Sequence, residues 1–218
     1  MKKFNTEIIT KFFILLFLLT IYILFSAYSY ATSVSSGISD SVFRLHVIAN
    51  SDSEEDQNLK YKVRDSLLDY MNSLCSSTTS KQEAIDIAQN HIDDFYKIAQ
   101  KVVSENGYDY SINITIGKHD FPTKHYGDVS LPSGVYDALR VEIGSASGQN
   151  WWCVMFPPLC FVDVSSGIVP DSSKETLQDN MSSEEYDLIT DSDNSSELNV
   201  KFKIVELFEN LKIKLANN

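Results

Sequence analysis

Basic residues are scarce in this chain and form no cluster. Its 218 residues carry 18 Lys and Arg against 30 Asp and Glu, a formal charge of -12. A surface of that sign repels phosphate backbones and anionic lipid heads, which argues against nucleic-acid binding. The short signatures of enzymes are missing as well. There is no Gly-x-Ser-x-Gly elbow, no phosphate-binding loop and no dinucleotide fingerprint. His119-Asp120 and His125-Tyr126-Gly127-Asp128 do not follow a closed zinc spacing. No internal repeat is visible, and cysteine is limited to Cys75, Cys153 and Cys160. What remains is ordinary: 43% apolar and 22% charged residues suit a leader plus one domain with its own core. No cofactor is expected.

The leader is the clearest feature. Met1 to Lys11 are basic, Phe12 to Phe25 are apolar apart from Thr20, and Ser29-Tyr30-Ala31 offers small residues at the two positions a signal peptidase reads. Residues 1–31 are therefore expected to be a signal peptide cleaved after Ala31, or an N-terminal membrane anchor if the helix extends to spanning length. Either way the remainder is exported, and membrane contact is expected only through the leader. Without Lys2, Lys3, Lys11 and Glu7 that remainder has 15 basic and 29 acidic residues.

Residues 32–40 are a Ser-rich tether, and the domain is expected over 41–165. Val42 to Ala49 alternates as a strand, with Phe43, Leu45 and Val47 on one face and Arg44, His46 and Ile48 on the other. Asn50 to Ser53 ends that strand and caps a helix whose first turn holds Glu54, Glu55 and Asp56. Ser80-Lys81-Gln82-Glu83 is a capping box for a second helix, which Asn106-Gly107 stops. Tyr108 to Ile116 and Val135 to Ile143 read as strands joined by a polar loop, and Trp151 to Val164 as a strand pair around Pro157-Pro158. The expected class is α+β, an antiparallel sheet with two helices on one face plus a C-terminal helix. Residues 166–197 are an acidic, Ser-rich linker, read as mobile chain or short exposed helices. Residues 198–218 are the C-terminal helix, its stripe running through Phe202, Val205, Phe208, Leu211 and Leu215.

Cys153 and Cys160 flank Pro157-Pro158, and a turn there would bring them together. A disulfide is expected, against the alternative of two small buried side chains. Trp151 and Trp152 are adjacent and must point to opposite faces of a strand. One is either an exposed anchor for a partner or part of a strand buried on both sides.

Several blocks resemble one family. Arg44-Leu45-His46-Val47-Ile48-Ala49-Asn50-Ser51-Asp52-Ser53, with Asp56-Gln57-Asn58-Leu59-Lys60 and Lys62-Val63-Arg64-Asp65, is similar to the N-terminal signature of the stage II sporulation protein R family. Phe121-Pro122-Thr123-Lys124 and Tyr126-Gly127-Asp128-Val129 resemble its middle motif. Leu131-Pro132-Ser133-Gly134, Ala138-Leu139-Arg140-Val141 and Asn150 to Asp163 resemble its last block.

The resemblance implies a protein secreted into the space between forespore and mother cell. There it would activate a membrane-embedded aspartic protease of the mother cell, which then processes the sigma factor E precursor. It implies no catalytic residues, so the chain is read as a signalling protein and not an enzyme. The alternative is an extracytoplasmic thiol- or metal-dependent hydrolase built on one of the cysteines and His46, His91, His119 or His125. Partner-binding candidates are Arg44, His46 and Asn50, with Trp151 or Trp152 and the Pro157-Pro158 turn.

Overall fold

A computed structural model of the chain describes residues 6–75, 77–160, 169–190 and 196–216. Its elements, in order, are α1 (Thr6–Ser41), β1 (Phe43–Ile48), α2 (Glu54–Leu74), α3 (Lys81–Asn90), α4 (Ile92–Glu105), β2 (Ile112–Phe121), β3 (Lys124–Tyr126), β4 (Val129–Leu131), β5 (Gly134–Ile143), β6 (Asn150–Phe156), α5 (Asp171–Asn180), α6 (Ser183–Thr190) and α7 (Ser196–Ala216). The class is α+β with a C-terminal helix.

Four strands form the main sheet in the order β2-β5-β1-β6, and β3 and β4 make a separate hairpin. β2 and β6 run antiparallel to their neighbours, but β1 and β5 are parallel. The sheet is thus mixed, not wholly antiparallel as expected. The chain leaves β1 through α2, α3 and α4 before it returns, and so long a crossover allows two adjacent strands to point the same way.

Alternation along β1 decides the two sides. Phe43, Leu45 and Val47 enter one core with Leu139, Val141, Cys153 and Met155, and this core is closed by Leu59, Val63 and Leu67 of α2 and Phe95, Ala99 and Val103 of α4. The helix ends follow the sequence signals. Ser53 Oγ accepts the Asp56 amide, and Ser80 Oγ accepts the Glu83 amide. Gly107, at φ +83°, donates to Ser104 O while the Tyr108 amide reaches back to Val103 O, a left-handed cap that satisfies the last carbonyls. The expected single helix over Lys81–Glu105 is two, broken at His91.

The second core lies on the other side. Ala138, Tyr136, Val154 and Phe121 of the sheet meet Ala31, Val34 and Ile38 of α1, Leu177 of α5, Leu188 and Ile189 of α6, and Phe202 and Val205 of α7. The acidic segment therefore contributes two short helices that carry apolar side chains inward. Residues 33–40, expected as a tether, are helical and packed. The Glu185 carboxylate of α6 lies over Gly37 of α1: a Cβ there would stand 1.7 Å from Glu185 Oε1. Lys81 Nζ donates to Ser39 O at 2.8 Å and pairs with Asp137 at 2.6 Å, fastening α1 to α3 and β5. Cys153 and Cys160 form a disulfide with Cα atoms 5.3 Å apart. The second strand expected beyond the prolines would fall on residues 161–164, outside the described residues; Pro157 to Cys160 form a turn.

Candidate functional site

The helices of the second core cover only half of their side of the sheet. On the other half, strand pairing aligns one row of side chains across all four strands. Thr115 of β2 is opposite Arg140 of β5, Arg140 is opposite His46 of β1, and His46 is opposite Trp152 of β6. A second row runs Asn113, Glu142, Ile48 and Asn150. Thr115, Asn113 and Asn150 are exposed, and Arg140, Glu142 and Trp152 are half-buried.

His46 is the centre of this face. Its ring lies flat on Trp152, with centroids 3.7 Å apart and planes 17° from parallel, and its Nε2 is 2.6 Å from Asn150 Oδ1. That oxygen can only accept, so Nε2 carries the proton. Burial lowers the His46 pKa to about 4; the Asn150 bond opposes the shift and the Arg140 charge adds to it. The imidazole is neutral at ordinary pH. Burial, reinforced by Arg140, also lowers the pKa of neighbouring His119. Arg140 pairs with Glu142 at 2.6 Å, and Glu142 accepts a bond from Asn113 Nδ2 at 2.8 Å. The face thus combines an aromatic stack, half-buried at Trp152 and 5% exposed at His46, with a fixed pattern of donors and acceptors, a combination suited to holding a protein surface.

Arg44 sits one row below and is fully buried. Its guanidinium lies 4.0 Å from the Phe121 ring centroid, 4.6 Å from Tyr136 and 5.9 Å from Tyr126. Nη2 donates to Tyr126 Oη at 2.6 Å, and that hydroxyl donates to Trp152 O at 3.2 Å. Burial raises the Tyr126 pKa, with Arg44 opposing the shift, so the phenol stays neutral. Arg44 therefore supports the aromatic floor under His46 and Trp152 by cation–π contact and does not itself reach a partner.

The other candidates separate. Asn50 is a clasp: its Oδ1 accepts the Ser145 amide at 2.9 Å, and its Nδ2 donates to Asp56 at 2.8 Å. Trp151 points to the opposite face, where Tyr61 meets it edge-on at 5.5 Å and the Arg64 guanidinium lies 4.2 Å from its ring. Pro157 is buried and Pro158 exposed, roughly 17 Å along the chain from Trp152 at strand rise. Only His46 and Trp152 of the seven share the open face. Ala31 is buried within α1.

Sequence reasoning missed Arg140, Glu142, His119, Phe121, Tyr126 and Asn150 as parts of this face. Alternation in β5 puts Arg140 and Glu142 opposite the inward Leu139 and Val141, but their neighbours depend on strand order. As for hydrolytic chemistry, two cysteines are bonded to each other, and burial pushes the Cys75 thiol up, away from the thiolate form. Among the described residues, no group of three or more His, Cys, Asp or Glu is placed to hold a metal ion.

The family model described as stage II sporulation protein R matches residues 39–166. That span is more than half of the chain and includes the whole sheet and its open face. The chain belongs to the stage II sporulation protein R family. A curated relative of that name from Bacillus subtilis (strain 168) is 39% identical over 130 residues, covering 60% of this chain and 58% of the relative. The chain thus matches less than two thirds of that relative's length. No solved structure matches. The family match ends before α5, so the helices that cover the lower half of this side of the sheet lie largely outside it.

Proposed function

We propose that this member of the stage II sporulation protein R family is an exported signal of endospore formation. It crosses one membrane by its leader and enters the space between forespore and mother cell. There it binds and activates a membrane-embedded aspartic protease, which processes the sigma factor E precursor. The reading rests on family membership over residues 39–166, and the apolar N-terminal helix and the disulfide fit an extracytoplasmic location.

The observation that carries the contact mechanism is the row Thr115, Arg140, His46 and Trp152, in which Thr115 is exposed, Arg140 and Trp152 are half-buried, and His46, 5% exposed, is stacked on Trp152. A ligand activates an enzyme only by binding its active state more tightly, which calls for a rigid surface. This row is rigid because it is built on four paired strands and floored by Arg44 and its aromatic neighbours. The test replaces His46 and Trp152 separately by Ala and scores precursor cleavage, with export and folding of each variant verified. Cleavage lost from folded, exported variants supports the face; full cleavage removes it.

A further inference from the structure

We propose that α1 is retained after export as a transmembrane anchor, so that the domain stays fastened to the membrane it crossed and is not released. This inference rests on the exported-signal reading above. α1 is one uninterrupted helix from Thr6 to Ser41, and the peptidase-like Ser29-Tyr30-Ala31 lies inside it. Cleavage after Ala31 would strip from the folded domain a side chain that is 0% exposed in the second core, together with Tyr30, which packs against the same cluster.

Beyond Ala31 the helix is a working part of the domain. Val34 and Ile38 are core residues. Ser41 Oγ donates to Asn180 O at 2.7 Å, Lys81 holds Ser39 O, and the Glu185 carboxylate of α6 lies over Gly37. The direction of α1 is therefore fixed relative to the sheet, and the segment before it cannot fold back as interior helix. That segment is long and apolar enough to cross a membrane and is not buried anywhere in the protein. From Ile8 to Ala27 it rises about 30 Å, the thickness of a hydrocarbon core, with Lys11 long enough to reach the near interface. The occupant of its exposed face is the bilayer.

The far end is marked by aromatics, as at a membrane interface. The Tyr28 ring meets Phe208 of α7 edge-on at 5.8 Å. Beside Phe208, Val200, Leu207, Leu211 and Leu215 share one exposed side of α7 at helical spacing, 47–78% exposed. Loss of residues 1–31 would uncover Phe208 and empty the place of Ala31. A bilayer ending near Ala27 leaves both contacts intact and lies next to the apolar side of α7.

The full chain, exported in a sporulating host, is extracted with alkaline carbonate, and its mass and N-terminus are measured. Expected is a protein that keeps residues 1–31 and remains entirely with the membranes. A new N-terminus at Thr32, or release into the soluble fraction, overturns the proposal. Ser29 is exposed, so Ser29→Leu blocks peptidase recognition without touching the core. It is expected to change the mass only by the Ser-to-Leu difference and to leave membrane retention and precursor cleavage unchanged, whereas a gain in mass the size of residues 1–31 overturns the anchor. A Thr32 N-terminus with normal precursor cleavage overturns the anchor and leaves the signalling reading standing. An intact N-terminus in cells whose precursor cleavage does not depend on this chain supports the anchor and removes the signalling reading.

Discussion

His46 and Trp152 face each other across the β1–β6 pair and stack at 3.7 Å. Phe121 meets the Trp152 ring at 4.8 Å; Trp152 is half-buried and His46 is 5% exposed. If this is the protease-contacting face, Trp152→Ala removes the largest apolar surface on it. The expected cost is about 2 kcal/mol or more of binding, roughly 30-fold in affinity. Titration of the purified domain onto the detergent-solubilised protease measures it. Trp151→Ala, on the opposite face, is expected to leave that affinity unchanged.

The buried imidazole of His46 makes stability depend on pH. Its folded pKa of about 4 lies below the ordinary 6.5, so between those values the unfolded chain binds the extra proton. Stability is full above about pH 6.5, falls as pH drops towards 4, and the His46 contribution is flat below that. The loss expected is about 1–3 kcal/mol. Urea melts at pH 7.5 and 4.5, compared with those of His46→Asn, check it; the variant is expected to lose the part of the slope that belongs to His46.

Arg44 is expected to matter for folding and not for contact. Arg44→Ala leaves a hole between Phe121 and Tyr136 and takes a donor from Tyr126, costing about 2–4 kcal/mol. Arg44→Met refills most of the volume and is expected to recover part of that stability, since the guanidinium has no carboxylate partner among the described residues. Denaturant midpoints measure both. Precursor cleavage by Arg44→Met is expected to follow its folded fraction.

The Cys153–Cys160 bridge closes a short loop at the end of β6, next to the turn that holds Pro158 against Ser173. Replacing both cysteines by Ser is expected to destabilise the domain by about 2–3 kcal/mol. Cys75→Ser is expected to cost less, because Cys75 is half-buried and unbonded. Thermal melts of the two variants side by side make the comparison.

These residues also show what the sequence could reveal. The parity of Phe43, Leu45 and Val47 against Arg44 and His46 is plain in the sequence, as are the Ser53 and Ser80 caps and the Gly107 stop, while the Cys153–Cys160 pairing is expected against the alternative of two small buried side chains. Parity states which side a residue takes, but it does not state what lies over that side. Arg44 and His46 share a face, yet Arg44 is fully buried among Phe121, Tyr126 and Tyr136, while His46, 5% exposed, lies in the row of the half-buried Arg140 and Trp152. The covers of the second core come from segments distant in sequence, and one of them, the acidic stretch of α5 and α6, buries Ser173, Leu177, Leu188 and Ile189 among many polar residues. The same limit applies to strands. Polar alternation through Lys118, His119, Asp120 and Phe121 extends β2 into what composition marks as loop, because pairing with β5 is made by backbone groups and does not require apolar side chains.

The most direct test of the account is co-purification of the exported domain with the membrane-embedded protease, using unsubstituted chain, His46→Ala and Trp152→Ala, alongside precursor cleavage in the same cells. The account expects the unsubstituted chain to co-purify and to drive cleavage, and each folded variant to lose both. Folded variants that neither bind nor lose cleavage, or an unsubstituted chain that drives cleavage without ever associating with the protease, would contradict it.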